Sequence, residues 1–380
     1  MACYDICMKF LHTGDIHIGA KFEYLGKKAV QKREQLRDTF RAIIDTAMSQ
    51  RVDIVLIAGD LFDSNAVLAR DFDIVREQLA RLGEKHIRTY LISGTHDVLE
   101  THAVLLRDDF LSQLPYVTLL AGKKATAYIP EFSLAVVGWS STTKKSTTHP
   151  LTQMQPHPDA RINIAMIHGS VQIPGKSAEN DIPITIEEID QSGFSYIALG
   201  HWHNMQQIET AHVPTYYAGA SEPLDFNQMR SGYVLIGDVE KDALVHITPI
   251  KVSTTEFCTL DIDVTGKNMS ELKKEIASQL SSKVCCRITL RGIVRPGAMI
   301  RTFELEEDLR QACFYLRISD QSSLALSDAD LAQFPDITVI GRFIREMQTA
   351  IASESDDHKR ALLEKSLQYG IALLDGKEII

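Results

Sequence analysis

The sequence predicts an α/β fold over about the first 250 residues, followed by a small α+β module and helices at the carboxyl end. The first observation is a series of short segments rich in Ile, Val and Leu that charged residues seldom interrupt. That composition is typical of strands covered on both faces. The second observation is helical spacing of apolar residues in the segments between them. Strand, helix and strand in succession indicate an α/β sheet.

The predicted strands of this region are Lys9–Thr13, Asp53–Ala58, Arg88–Ser93, Tyr116–Leu120, Leu134–Trp139, Ile162–Ile167 and Tyr196–Leu199. Helices are predicted at Val30–Gln50 and Ala66–Leu82, each with apolar residues along one side. The polar segment Ser141–Ala160 is predicted to be a loop or crossover that joins the two halves of the domain. Three strands without helices between them follow Pro214, and we expect a meander that closes the second half. They are Thr215–Ala218, Tyr233–Asp238 and Leu244–Val252.

A second module is predicted from Thr254 to Ser323, in the order strand, helix, strand, helix, strand. Its strands are Phe257–Val264, Val284–Val294 and Phe314–Ile318, and its helices are Met269–Leu280 and Leu305–Ala312. Two amphipathic helices follow, with apolar stripes at Ile340, Phe343, Ile344, Met347 and Ile351 and at Leu363, Leu367, Ile371 and Leu374. These helices either pack back on their own domain or dock a partner helix. We therefore predict domains at 1–253, 254–325 and 326–380.

Composition limits the class of protein. The hydrophobic content of 44% is ordinary for a soluble globular protein, and no apolar run approaches the roughly 20 residues that span a bilayer. The segment Met1–Phe10 lacks a basic region followed by an apolar stretch, so we expect no secretory signal. The six cysteines form no CxxC pair, which favours free thiols in a reducing cytoplasm. The formal net charge of -10 argues against a protein that simply coats DNA.

The second module differs from the acidic whole in its charge. Eight basic residues and only two acidic residues lie between Lys267 and Arg301. Such a run is either a solvated face or a surface for a phosphate backbone. The candidate DNA-binding residues are Lys273, Lys274, Arg287 and Arg291.

Five short motifs carry the chemistry, and each follows or ends a predicted strand. They are Asp15-Ile16-His17, Gly59-Asp60, Gly94-Thr95-His96-Asp97, His168-Gly169 and Gly200-His201-Trp202-His203. Carboxylate oxygens and imidazole nitrogens suit first-row divalent metals, and the carboxyl ends of strands are where open α/β sheets place their sites. The order and spacing predict a two-metal centre, and such centres hydrolyse phosphate esters.

The spacing of these residues supports that prediction. Asp15 and His17 are two residues apart, as are His201 and His203, so in an extended chain each pair points to one side. Asp60 is the natural bridge, because one carboxylate offers two oxygens to two metals. A pair of buried, hydrogen-bonded histidines is the structural alternative for His201 and His203, and a lone histidine such as His168 is more often structural.

The third motif, Gly94-Thr95-His96-Asp97, predicts a catalytic group beside the metals. His96 need not touch metal, since a histidine near the phosphate could protonate the leaving oxygen. Its neighbour Asp97 could fix the tautomer of His96. We therefore predict catalytic roles for His96 and Asp97.

The same motifs resemble the pattern of the calcineurin-like metallophosphoesterase superfamily: DxH, GD, GNHD, a lone His and GHxH. The closer resemblance is to SbcD-type DNA repair exonucleases, and it is carried by His12–Gly19, Gly59–Asp63 and Tyr217–Pro223. It covers about residues 8 to 250. The resemblance implies a metallophosphoesterase β-sandwich flanked by helices, with a small α+β capping domain and C-terminal helices.

The resemblance also implies a ligand set, a metal and partners. One cation would be held by Asp15, His17, Asp60 and His203, and the other by Asp60, His168, His201 and residue 95. His96 would be the catalytic histidine, and the metal would be manganese (Mn2+). An SMC-like coiled-coil ATPase would dock on the C-terminal helices, and the first-domain helices would form a homodimer.

One residue departs from the pattern at the second metal. The family has Asn at position 95, whose amide oxygen binds the cation, and this chain has Thr95. A hydroxyl is a poorer ligand and lies one bond closer to the backbone, so we predict a weakened second site. Asp63 stands where archaeal relatives carry a histidine, so their mode of exonuclease action need not transfer.

Three functions remain open from the sequence. The first is a Mn-dependent DNA exonuclease or endonuclease that acts in the processing and repair of DNA ends. The second is a small-molecule phosphodiesterase on the same metal centre. The third is a DNA-end-binding subunit whose metal site has decayed at Thr95.

Overall fold

The computed structural model describes residues 8–122, 125–173, 178–240, 245–294, 300–324 and 333–374, and the chain divides into two compact units at Glu256. The first unit contains two six-stranded sheets. The first sheet is formed by β1 (Met8–Thr13), β2 (Ile54–Ala58), β3 (Arg88–Ile92), β4 (Val117–Leu119), β13 (Tyr233–Val239) and β14 (Val245–Lys251). The second is formed by β5 (Thr126–Ile129), β6 (Leu134–Trp139), β7 (Ile162–His168), β10 (Tyr196–Gly200), β11 (Gln206–Ile208) and β12 (Thr215–Tyr217).

Strand order places β1 and β2 in the middle of the first sheet, which runs β14-β13-β1-β2-β3-β4. Strands β1 to β4 are parallel, and β13 joins β1 antiparallel. The second sheet runs β11-β12-β10-β7-β6-β5, with β7 and β10 parallel neighbours at its centre. Two short strands, β8 (Ser170–Val171) and β9 (Pro183–Ile184), pair with each other.

The two sheets of this unit face each other across one hydrophobic core. Phe10 and Leu56 of the first sheet belong to the same buried cluster as Val136, Ile164 and Tyr196 of the second. Strand β2 is buried along its whole length, which explains its apolar sequence. The predicted α/β sandwich is confirmed.

Helices flank the sandwich. The first-unit helices are α1 (Ala29–Ser49), α2 (Ala69–Glu84), α3 (Asp108–Leu111) and α4 (Ile186–Gln191). Helix α1 buries Leu36, Phe40, Ile43 and Ile44, the stripe that the helical spacing predicted. It packs on α2, and α2 contacts β3.

Two predicted connections are wrong. The segment Ser141–Ala160 does not join the two halves, because it links β6 and β7, which are neighbours in the second sheet. The chain instead changes sheet between β4 and β5. The strands after residue 232 do not close the second half either, because β13 pairs with β1 of the first sheet and β14 pairs with β13.

The second unit contains a three-stranded sheet, β15 (Glu256–Asp263), β16 (Val284–Arg291) and β18 (Tyr315–Asp320), in the order β15-β16-β18. Helices α5 (Met269–Ser278) and α6 (Thr302–Leu309) share a core with it that includes Ile276, Ile288 and Leu305. The predicted long strand ends at Arg291, where Gly292 has a φ of 102°, and β17 (Ile293–Val294) pairs with β19 (Ser323–Leu324).

The terminal helices are α7 (Val339–Ser353) and α8 (Asp357–Leu374). They pack on each other through Ile344, Leu367 and Ile371, and α8 also contacts β19. Lys365 of α8 forms an ion pair with Asp320 at 2.9 Å. Most of the predicted stripe residues therefore pack within their own unit, which is one of the two alternatives proposed, but Leu374 is 43% exposed. Among the described helices, we find none with both the length and the apolar character to cross a bilayer.

Candidate metal centre

The centre forms where the carboxyl ends of β1 and β2 meet those of β7 and β10. Two atom pairs bring the sheets together: His17 Nε2 lies 3.2 Å from His203 Nε2, and His168 Nε2 lies 3.2 Å from Asp60 Oδ2. Parallel neighbours end at the same edge of a sheet, which explains why residues far apart in sequence converge.

The backbone at these loops is held in an unusual conformation. Asp15, His17, Asp60 and His201 have positive φ angles of 49°, 52°, 49° and 105°. The loops after β1 and β2 hold each other there, because His17 N donates to Asp60 O at 3.0 Å and Asp15 N donates to the carbonyl of Gly59. A Cβ at Gly94 would clash with the Asp60 carboxylate. The glycine before Thr95 is therefore required for close packing.

Three groups of side chains in the described chain could hold a cation, with ligand atoms within 4.8 Å of one another. They are Asp15, His17 and His203; Asp15, Asp60 and His168; and His17, Asp60 and His96. Asp60 Oδ2 lies 3.7 Å from His17 Nε2 and 3.2 Å from His168 Nε2, between the two predicted sites. This set of hard oxygens and imidazole nitrogens fits a pair of divalent first-row metals.

Partners behind the histidines orient their rings. His168 Nδ1 lies 3.0 Å from Ala58 O, so the bond to this carbonyl leaves Nε2 free to face Asp60. His17 Nδ1 lies 3.2 Å from Asp63 Oδ1, which leaves Nε2 facing His203. Such hydrogen bonds from the second ring nitrogen are typical of metal-ligating histidines.

The rings of His201 and His203 contact Asp181 and Gln228, two residues that the sequence analysis did not identify. Leu224 N donates to Gln228 Oε1, which directs the Gln228 amide nitrogen toward His203 Nδ1 at 2.7 Å. His201 Nε2 lies 3.0 Å from Asp181 Oδ2, and its Nδ1 lies 3.3 Å from His168 Nε2. Neither partner sits in a recognisable motif, and they lie 20 and 25 residues from the histidines that they contact.

Electrostatics reflect this crowding of acids and imidazoles. Burial alone would lower the pKa of His168, but attraction to Asp60 and Asp15 outweighs it and raises the pKa to about 10. The same attraction holds the pKa of Asp60 well below its usual range despite burial. Burial lowers the pKa of His203 to about 4. The hydrogen bond from His201 is the largest cause that lowers the pKa of Asp181 to about 2.

The loop after β3 places Thr95 and His96 beside the centre. Thr95 Oγ1 lies 3.5 Å from Asp60 Oδ2, and His96 N donates to Asp60 Oδ1 at 2.7 Å. The His96 ring is exposed, meets the His17 ring edge-on at 4.6 Å, and places Nδ1 2.9 Å from the carbonyl of Asp63. This position suits a group that meets substrate.

The expectation that Asp97 orients His96 is wrong. The buried Asp97 carboxylate accepts hydrogen bonds from the backbone nitrogens of Gly94, Leu61 and Phe62, at 2.7, 2.9 and 3.2 Å. The His96 ring instead lies against Asp63. Asp97 therefore ties the loop after β3 to the loop after β2, and its adjacency to His96 in sequence was misleading.

The candidate DNA-binding residues do not form one surface. Along β16, Ile288 and Leu290 face the helices, so Arg287 and Arg291 lie on the opposite face of the sheet. Lys273 and Lys274 are exposed on α5 and therefore lie on the helical side. Two of them are ion-paired, Lys273 with Asp308 at 2.7 Å and Arg291 with Asp261 at 3.1 Å. Arg295, from the same basic run, lies outside the described residues.

Comparison with known families gives the same result as the geometry. The family model of calcineurin-like phosphoesterases matches residues 8–205, a stretch that includes every residue of the three groups above. The chain belongs to this family. A calcineurin-like phosphoesterase is a hydrolase of phosphate esters with a divalent metal centre, and the candidate ligands described above fit that chemistry.

Individual relatives of this phosphoesterase are distant. It is 24% identical over 302 residues to an uncharacterized metallophosphoesterase, YhaO, of Bacillus subtilis, a match that covers 75% of this chain and 72% of that protein. It is 23% identical over 303 residues to the DNA double-strand break repair protein Mre11 of Methanopyrus kandleri, covering 74% of this chain and 65% of the relative. It is 26% identical over 271 residues to Mre11 of Aeropyrum pernix, a match that covers 67% of this chain and 64% of the relative.

Proposed function

We propose that the chain is an SbcD-type, manganese-dependent DNA nuclease that hydrolyses phosphodiester bonds during the processing and repair of DNA ends. The observation that carries this proposal is that the three ligand groups overlap, each pair of groups sharing one of Asp15, His17 and Asp60, since adjacent cation sites suit phosphodiester hydrolysis. The likeness to two archaeal double-strand break repair proteins supports DNA as the substrate.

The side chains divide into ligands and a proton donor. Asp15, His17, Asp60 and His203 would hold one cation, and Asp60, His168, His201 and Thr95 the other. Bound cations supply Lewis acidity that activates water and neutralises phosphate charge. As the imidazolium, His96 would donate its Nδ1–H to Asp63 O and transfer the Nε2 proton from its exposed ring to the leaving oxygen. Asp63 would hold the ring of His17 in place and leave its Nε2 for a cation.

Replacement of the shared carboxylate tests this proposal. We expect Asp60→Asn to reduce Mn2+-dependent cleavage of a linear duplex by more than about 100-fold, because disturbing an outer partner alone costs about 10–100-fold. Bound metal, measured by elemental analysis, should fall in parallel. Asp73→Asn, at an exposed position of α2, is the matched control and should cleave normally. Full cleavage by pure Asp60→Asn protein would contradict the proposed mechanism.

A second candidate is a small-molecule phosphodiesterase on the same centre. A cavity of about 390 Å³ beside His201 and His203 favours it, because that volume lies within the usual range of small-molecule sites, about 300–1,000 Å³. The exposed ion pairs of Lys273 and Arg291 also weaken the case for a DNA surface there. Rapid turnover of bis-p-nitrophenyl phosphate together with no cleavage of DNA would favour this candidate.

We also propose that an SMC-like coiled-coil ATPase docks on α7 and α8 and that the chain forms a homodimer. The helices bury one stripe but leave Val339, Leu362 and Leu373 exposed, at 72%, 62% and 59%. We expect Leu362→Glu with Leu373→Glu to abolish co-elution with such an ATPase. Phe303→Glu, an equally exposed residue on α6, should leave it intact. Light scattering after size-exclusion chromatography measures the homodimer.

A further inference from the structure

A cavity of about 390 Å³ opens beside the candidate metal centre, with His201 and His203 in one wall. Its other lining residues are Trp202, Asn204, Gln206, Asn227 and Gln228, one with an indole and four with side-chain amides. None of these lining residues is Lys, Arg, Asp or Glu. A cavity next to a phosphate site that has amides in place of cations suits an uncharged polar group, because phosphate recognition in proteins relies on Arg and Lys.

Two of the four amides are committed to the protein. The Asn204 side chain accepts from Arg230 N at 2.9 Å and donates to the carbonyl of Asn227 at 3.2 Å. Gln228 accepts from Leu224 N at 2.8 Å and supports His203. These bonds fix the shape of this side of the cavity.

The other two amides are available to a ligand. Across the described chain, the side-chain amides of Gln206 and Asn227 make no hydrogen bond to protein. Gln206 lies on β11, the outermost strand of the second sheet, and Asn227 is exposed on the loop before β13. Each offers one acceptor and two donor hydrogens. Together they can read a ligand that itself presents both donors and acceptors.

The indole is held rigidly. The Trp202 ring stacks on Tyr217 with centroids 4.7 Å apart and planes 13° apart, and its Nε1 donates to Ser170 Oγ at 3.1 Å. A fixed aromatic wall loses little entropy when a planar group packs against it. Aromatic side chains are the usual platforms for unstacked bases.

We propose that this cavity binds the nucleobase of the nucleotide whose phosphate occupies the metal centre, with Gln206 and Asn227 hydrogen-bonded to the base edge. Asn and Gln pair well with base edges, because an amide matches adjacent donor and acceptor groups. This inference rests on the proposed nuclease function and adds that the enzyme recognises a base as well as a phosphate. A duplex end would have to release that base from its stack to fill the cavity.

Binding of nucleotides, measured by fluorescence, tests the inference without need of catalysis. The chain has two tryptophans, so Trp139→Phe leaves Trp202 as the reporter. The probes are dAMP, deoxyribose 5-phosphate and a short single-stranded oligonucleotide, each titrated with Mg2+ present. We expect dAMP to bind at least about tenfold more tightly than deoxyribose 5-phosphate, the discrimination typical of one good amide–base pair. Tighter binding of the oligonucleotide than of dAMP identifies a DNA strand as the source of the base.

Substitution of the available amides provides the second arm. Gln206→Leu with Asn227→Leu should abolish the preference for dAMP and leave the affinity for deoxyribose 5-phosphate within about twofold, because the phosphate site is untouched. Gln153→Leu, an exposed amide elsewhere in the unit, is the matched control. Equal binding of dAMP and deoxyribose 5-phosphate, or a preference that survives the double substitution, overturns the inference. A different result would contradict the nuclease proposal alone. In that case the protein would still bind dAMP in preference to deoxyribose 5-phosphate but would show no Mn2+-dependent cleavage of DNA.

Discussion

Backbone strain marks the candidate metal centre at the scale of single residues. Asp15, His17, Asp60 and His201 all have positive φ, a conformation that costs a non-glycine residue about 1–3 kcal/mol. The hydrogen bonds between the loops after β1 and β2 offset this cost. Four of the seven candidate ligands therefore have a strained backbone. Packing alone does not explain this, because a different local sequence would adopt the same loops without the strain. The strained conformations are readily explained if each carboxylate or imidazole must point at a common cation.

Thr95 is a proposed ligand of the second site, and its replacement tests that proposal. Its hydroxyl lies 3.5 Å from Asp60 Oδ2, and an amide at this position would extend one bond further toward the cluster. We expect Thr95→Asn to raise Mn2+ affinity at the second site, and DNA cleavage at limiting metal, by about 10–100-fold. Thr95→Val, which keeps the shape but removes the hydroxyl, should lower both. Equilibrium dialysis gives the stoichiometry. Unchanged binding in Thr95→Asn would show that this site is not weakened.

Protons should compete with metal for His168. Its raised pKa of about 10 means that the ring is protonated at neutral pH in the metal-free protein. The interaction of the charged ring with Asp60 and Asp15 stabilises the folded metal-free protein. This contribution to the free energy of unfolding is complete at pH values below the ordinary histidine pKa of 6.5, and it is lost as the pH rises through about 10. Metal requires the neutral ring, so apparent affinity should increase by about tenfold per pH unit for each proton released. Calorimetry in buffers of different ionisation heat counts these protons. Affinity that does not change between about pH 7 and 9 would contradict this linkage.

Sequence identified candidate ligands more readily than the residues that contact them. The spacing of Asp15 and His17 predicted that both lie in one candidate ligand group, and they do. The reason given was wrong, because Asp15, His17 and His201 have positive φ and the chain is not extended there. His201 lies outside the three ligand groups and contacts His168 and Asp181 instead. Asp181 and Gln228 carry no local signal, since their partners are chosen by folding. Asp97 was misassigned for the same reason. Adjacency in sequence suggested a contact with His96, whereas the chain directs the carboxylate to three backbone amides.

Among the secondary-structure elements, the positions of strands were predicted more successfully than the pairing between strands. The apolar runs gave the position of β1, β2, β7 and β10, because buried parallel strands have a distinctive composition. They did not show that β13 returns to pair with β1 across more than 200 residues of chain. Pairing between distant strands depends on register and shape that a single strand does not encode.

A buried ion pair connects helix α1 to the end of the first unit. Glu222 contacts Lys32 and Thr39 of α1 and also Thr254 N at 2.9 Å, and the side chains of Lys32 and Glu222 are fully buried. We expect Glu222→Ala to lower the free energy of unfolding by about 3–5 kcal/mol, because Lys32 is left as an uncompensated buried charge. Denaturant titration measures this loss.

The matched control for that substitution is an exposed ion pair on the same helix. Asp45 of α1 pairs with Arg81 at 2.7 Å with its side chain 60% exposed. Asp45→Ala should cost no more than about 1 kcal/mol, since solvent screens such pairs. A similar cost for the two substitutions would show that Glu222 does not anchor α1.

The molecule as a whole consists of two units whose boundary can be tested. The sequence placed the end of the first domain at residue 253, whereas the contact pattern divides the chain at Glu256. The difference matters because Thr254 and Thr255 both bond the buried Glu222 carboxylate. A first domain that stops at residue 253 would lose these bonds and expose the Glu222 carboxylate, which is fully buried in the structure.

Two fragments that differ by three residues separate these boundaries. We expect fragment 1–256 to unfold cooperatively and to bind Mn2+ as the full chain does. Fragment 1–253 should melt about 6–12 °C lower, because two hydrogen bonds to a charged group contribute about 3 kcal/mol and each kcal/mol shifts the melting temperature by about 2–4 °C at this size. Glu222→Gln should reduce the difference in melting temperature between the two fragments. Loss of the hydrogen bonds from Thr254 and Thr255 destabilises an uncharged amide less than a carboxylate. Equal melting temperatures for both fragments would place the boundary at residue 253.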